Sequence, residues 1–116
     1  MRFLKDGEEI LPGVIAMSAP GHTPGHHVFA IHSGADTLVF GGDIAHHHAV
    51  FLAHPEVNFS SDMDPQQMVR SRRSIFDWLA TDRLKFIGYH FPFPGAGHLV
   101  RAGSAYRFVP LTRDTI

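Results

Sequence analysis

DTLVFGGDIAHHH, residues 36–48, sets a strand, a glycine pair and a carboxylate in immediate succession. Leu38, Val39 and Phe40 are apolar without alternation, as in a strand covered on both faces. Gly41 and Gly42 end it, and Asp43 follows at once. The arrangement recurs twice. GVIAMSA (13–19) stops at Pro20 and leads to His22, and LKFIGY (84–89) leads to His90. In layered α/β sheets, ligands are bound by the loops at strand ends. Three strands that each deliver an imidazole or a carboxylate therefore point to an α/β fold with a site at one edge.

Working outward, HHVFAIH (26–32) is a further strand, joined to the first segment by a turn at Gly34 and Asp36. RFLKDGEEI (2–10) is predicted to be a hairpin turning at Asp6-Gly7, and AYRFVP (105–110) a last strand. GVIAM, VFAI and TLVF are apolar on both faces, which implies a sheet covered on both sides. Residues 46–63 admit a short helix over 46–52 or an irregular loop. FPFPGAGHL (91–99) is too rich in Pro and Gly for regular structure.

A long helix is predicted over about 65–81. Asp64 is its N-cap, Pro65 occupies the first turn and Gln67 closes a capping box. Met68, Ile75, Phe76 and Leu79 form its apolar stripe, with Arg70, Arg73 and Asp77 opposite. The cluster Arg70, Arg72 and Arg73 reads as a solvated helix face rather than a phosphate site.

The chain of 116 residues has the size of one domain, taken as 1–116. A net charge of −1 with 44% hydrophobic residues argues for a globular protein and against nucleic acid as a partner. The absence of cysteine excludes disulfides and thiolate metal sites. No apolar run is long enough to span a membrane. Lys5, Asp6, Glu8 and Glu9 stand where a signal peptide would be apolar, so a cytoplasmic protein is expected. No Gly-x-Ser-x-Gly elbow supports a serine hydrolase.

The unusual feature is ten histidines, gathered in 22–32 and 46–54 and at His90 and His98. Imidazole and carboxylate are ordinary ligands of zinc and similar ions. The bland alternatives are a surface His22, a turn-forming Asp43 and a half-buried His90. His27 and His32 fit strand faces, and His54 a loop. His98 folds over the 91–99 loop or does nothing. His46, His47 and His48 cannot all face one site; His47 and His48 read as surface, and His46 stays open. Phe51, Phe91 and Phe93 fit core packing better than an apolar pocket.

PGHTPGHH (20–27), FGGDIAHH (40–47) and YHFPFPGAGHL (89–99), in this order, resemble the later motifs of the metallo-β-lactamase fold hydrolases. The nearest branch is that of methyl parathion hydrolase and the acyl-homoserine lactonase-like proteins. GGDIAHHHAVFLAHPEVNFSSD (41–62) is its most specific part, and nearly the whole chain is covered. The resemblance implies half of an αββα sandwich, with one mixed sheet and a long helix. It implies two divalent ions, zinc by preference. His22 would bind the first, Asp43 would bridge both and carry catalysis, and His90 would complete the second. His26 would be structural.

The function so implied is metal-dependent hydrolysis of an ester, lactone or phosphotriester, with a small molecule as substrate. The earlier family motif, His-x-His-x-Asp-His, does not occur here. The chain thus resembles the C-terminal half of such an enzyme and is expected to be inactive alone, pairing with itself or with an N-terminal partner half. The alternative is a non-catalytic remnant or interaction module with weak metal binding.

Overall fold

The computed structural model describes residues 1–112. Seven strands lie side by side in one sheet in chain order: β1 (Glu8–Leu11), β2 (Val14–Ser18), β3 (His27–Ser33), β4 (Asp36–Phe40), β5 (Lys85–Ile87), β6 (Ala96–Ala102) and β7 (Ala105–Pro110). Two helices, α1 (Val50–Ala53) and α2 (Pro65–Asp82), separate β4 from β5. All neighbours are antiparallel except β4 and β5, which run parallel. A tight turn can reverse a strand, but a parallel pair needs a long crossover, and the two helices are that crossover. The result is the expected α/β arrangement of one mixed sheet and one long helix.

This topology gathers the site. β2 and β4 are each antiparallel to β3, so they point the same way, and β5 runs parallel to β4. The C-terminal ends of β2, β4 and β5 therefore open on one edge. His22, Asp43 and His90 each lie just beyond one of those ends.

The long helix forms as its sequence directs. The Asp64 carboxylate accepts the Gln67 backbone N–H at 3.1 Å, and Pro65 stands in the first turn. Its C-cap, Arg83, is left-handed at φ 54°. Met68, Ile75, Phe76 and Leu79 are buried against Val28, Ala30, Val39, Phe86 and Leu99 of the sheet. Residues of opposite parity face away from this core. There Ile31 is 40% and Val109 39% exposed, while Phe29, Leu38, Phe40 and Ile87 are half-buried. Cover on both faces was expected; within the described residues the helix-bearing core covers one.

Several local expectations are corrected. The first hairpin joins β1 to β2 and turns at Pro12-Gly13. Asp6-Gly7 instead belongs to a turn closed by the Glu8 N–H on the Lys5 carbonyl, ahead of the strand. Within FPFPGAGHL, the stretch from Ala96 is regular, because β5 on one side and β7 on the other pair with it. The short helix starts at Val50, not His46. Phe51 and Phe91 are core residues, but Phe93 is fully exposed. His98 lies within β6 between Lys85 and Val109. Arg72 is not on a solvated face: it is 0% exposed.

Candidate metal centre

His22 is placed by the loop after β2, which is tied to the start of α2. Asp64 N–H donates to the Gly21 carbonyl at 2.8 Å, and Met63 N–H to that of His22 at 3.2 Å. Ser71, one turn further, donates its hydroxyl to the Pro20 carbonyl at 2.7 Å. Only glycine fits at position 21, since φ is 137° and a Cβ would lie 2.2 Å from the Met68 nitrogen.

Asp43 is placed by the turn after β4. Gly41 N–H still donates to the β5 strand, at Ile87 O, and Ile44 N–H closes the turn on Gly41 O. Gly42 has φ 54°, and a Cβ there would meet His26 Nε2 at 2.8 Å. His26 pins this turn. Its Nδ1 donates to the Ala19 carbonyl at 2.7 Å, and its Nε2 accepts the Asp43 N–H at 2.9 Å. Both ring nitrogens are committed, so His26 links two loops and has no lone pair to spare. Burial keeps its pKa below the ordinary value, outweighing the Ala19 hydrogen bond and the Asp43 charge.

Asp43 stands between the other two residues. His90 Nε2 lies 2.8 Å from one carboxylate oxygen, and His22 Nε2 lies 3.5 Å from the other. Partial burial alone would raise the Asp43 pKa. The His90 hydrogen bond and the nearby charges of His22, His90 and His46 prevail and hold it below the usual carboxylate value.

Three neighbours lie outside the ligand set expected from the sequence. Asp62, with a side chain 1% exposed, accepts from His22 Nδ1 at 2.9 Å. A carboxylate can only accept, so Nδ1 of His22 carries a proton and Nε2 is the nitrogen that faces Asp43. Behind Asp62 lies Arg72, its Nη2 4.0 Å from the second Asp62 oxygen. Arg72 donates to the carbonyls of Ile44 (2.7 Å), Pro55 (2.7 Å) and Val57 (2.9 Å), which shapes the segment between Asp43 and Asp62. Helical phase could have exposed Arg72, which stands four residues after Met68 and four before Phe76, on the apolar stripe. No local signal singles out Asp62.

The third neighbour is His46. Its ring stacks on Phe59 with centroids 3.7 Å apart and lies 5.4 Å from His22 and 4.7 Å from His90. Burial, then the charge of His90, lower its pKa against the pull of Asp62 and Asp43. Its buried Nε2 has no hydrogen-bond partner among the described residues. Two groups of donors have atoms within 4.8 Å of one another: His22, His46 and Asp62, and Asp43, His46 and His90. Imidazoles, a carboxylate and an unsatisfied buried nitrogen are a donor set that fits zinc or a similar ion. A hollow of about 550 Å³ between Arg83, Leu99 and Arg101 contains none of these donors.

No family model matches the chain, and no curated protein sequence matches it. Solved structures do. A hydrolase named AbOPH, of the beta lactamase superfamily, is 32% identical with a TM-score of 0.86 over 91% of this chain. AidC, a dizinc quorum-quenching lactonase in complex with an acyl-homoserine product, is 28% identical with a TM-score of 0.90 over 96% of it. A probable metal-dependent hydrolase from Staphylococcus aureus is 24% identical with a TM-score of 0.74 over 94%, a likeness of fold alone. The chain spans 37%, 38% and 40% of those three proteins, respectively. Among the described residues no helix is long and apolar enough to cross a membrane.

Proposed function

Since the chain belongs to the metallo-β-lactamase superfamily and carries part of its fold, we propose that it supplies half of a metal-dependent hydrolase site for an ester, lactone or phosphotriester. The observation that carries this reading is the doubly engaged Asp43, with His90 on one oxygen and His22 on the other. In this reading His22 would hold one zinc, Asp43 would be shared by two and would carry catalysis, and His90 would hold the second. Such ions lower the pKa of bound water to about 7 and polarise the scissile group.

The chain's own residues prepare that chemistry. Asp62 retains the proton of His22 at Nδ1 and so aims Nε2 into the site. His26 holds the Asp43 turn in place through its two hydrogen bonds. His90 Nε2, which lies 2.8 Å from an Asp43 oxygen, would have to be free of its proton to hold a cation.

These ligands do not fill two zinc shells, and the chain alone is expected to be inactive. The apolar sheet face around Phe29, Ile31 and Leu38 supports a missing cover, supplied by an N-terminal partner half or by a second copy. The same exposed face favours the alternative of a non-catalytic interaction module that binds metal weakly.

The test is hydrolysis of aryl ester, lactone and phosphotriester substrates with added zinc, cobalt or manganese. The chain alone should show no turnover. Joined to an N-terminal half bearing His-x-His-x-Asp-His, it should turn over, and His22→Ala should abolish this. A joined, folded and metal-loaded protein without turnover would sink the enzyme reading in favour of the interaction module.

A further inference from the structure

We infer that His46 is a metal ligand of this chain, closing with Asp43 and His90 a three-donor site for one divalent cation of the zinc type. The inference rests on the reading of this edge as a metal centre. It adds a donor that neither the strand-end pattern nor the family resemblance assigns.

Four observations carry it. The ligand atoms of Asp43, His46 and His90 already lie within 4.8 Å of one another. Around tetrahedral zinc, with bonds of about 2.0–2.1 Å, donors stand roughly 3.3 Å apart. The group therefore needs to contract by at most about 1.5 Å. His90, whose side chain is 36% exposed, has room to make that movement.

The second observation is the state of His46 itself. A buried imidazole that serves only packing normally finds a partner for each nitrogen, because an unsatisfied polar atom is costly. His46 Nε2 is buried and has none among the described residues.

Third, the ring is held ready. Phe59 stacks on it at 3.7 Å and Phe51 meets its plane edge-on at 5.7 Å. Little rotamer freedom remains to be lost on binding.

Fourth, the competing use of His46 is closed. The other donor group pairs it with His22 and Asp62. There His22 Nδ1 and Asp62 already satisfy each other at 2.9 Å. Asp43 and His90 also touch, at 2.8 Å, but that pair is exposed and open to rearrangement, and the second Asp43 oxygen meets only His22, at 3.5 Å. Three protein ligands leave a fourth position for water, the pattern of an open zinc site.

The test titrates zinc into the full chain against a chromophoric chelator. His46→Phe is compared because it keeps the stack on Phe59 and removes the nitrogen. His32→Ala is the control; His32 lies at the far end of β3, where it bonds Thr37. Wild type should bind one zinc, His46→Phe should bind roughly tenfold more weakly or worse, and His32→Ala should match wild type. Cobalt should give an intense visible band in wild type that weakens in His46→Phe.

Equal affinity in wild type and His46→Phe would overturn the role of His46 while leaving His22, Asp43 and His90 standing. A wild-type chain that takes up no zinc would overturn the metal centre as well. Should His46→Phe fail to fold, the ¹⁵N resonances of His46 in wild type decide. A large shift of Nε2 on adding zinc supports ligation, and an unmoved resonance overturns it.

Discussion

His22 and Asp62 are joined across forty residues of sequence by a 2.9 Å contact that fixes which His22 nitrogen is free. Nδ1–H donates to the buried carboxylate, and Nε2 is left 3.5 Å from Asp43. An imidazole without that partner would populate both tautomers and rotate. Asp62 thus holds His22 in one orientation with Nε2 toward Asp43.

In the chain joined to an N-terminal half, Asp62→Asn should therefore weaken binding of the zinc assigned to His22 by roughly 10- to 100-fold, the usual effect of losing the carboxylate behind a liganding histidine. The chelator competition measures it. A folded Asp62→Asn chain with wild-type affinity would show that His22 needs no such support.

Arg72→Met should lower stability by about 3 kcal/mol, read from the denaturant midpoint. The methionine fills most of the volume but leaves the carbonyls of Ile44, Pro55 and Val57 without their donor. It also leaves Asp62 buried without its nearest cation. A loss below about 0.5 kcal/mol, the range of ordinary surface substitutions, would show that the segment holds its shape by other means.

Asp64→Ala should cost about 1 kcal/mol through loss of the cap on Gln67 N–H. Asp64→Ser keeps an acceptor and should recover most of it. Equal stability of both variants and wild type would remove the cap from the account of α2.

Tyr106 gives a pH signature. Burial first, and then its hydrogen bond to Asp77, push its pKa up to about 12 from 10.0. A raised folded pKa adds stability that is complete below the unfolded value and is lost as pH climbs toward the folded one. Wild type should therefore lose stability between about pH 10 and 12 more steeply than Tyr106→Phe. Parallel profiles for the two proteins would contradict the assignment.

Association is the last expected outcome. With Ile31 40% exposed on an apolar sheet face, the isolated chain should sediment as a dimer or larger at micromolar concentration. Ile31→Glu together with Leu38→Glu should shift it to monomer. A compact wild-type monomer that melts cooperatively would mean that the exposed face needs no cover.

Local chemistry alone determined much of this protein. Asp64-Pro65 and the spacing of Met68, Ile75, Phe76 and Leu79 place a long helix within a residue of its observed end, because capping and helical phase act over one or two turns. Runs such as VFAI and TLVF mark strands for the same reason. His22, Asp43 and His90 stand out because each follows such a run.

Tertiary structure decided the rest. Only strand order and direction bring the ends of β2, β4 and β5 to one edge, and that depends on pairing between distant segments. Arg72 reads as a surface cation among Arg70 and Arg73 until loop carbonyls 15, 17 and 28 residues away close over it. Asp62, in the polar stretch SSDMD, acquires its role only when the turn bearing His22 arrives. His46 is one of three adjacent histidines until Phe59 stacks on it and leaves its Nε2 buried. Burial and partner choice are properties of the packed chain, and no window of sequence contains them.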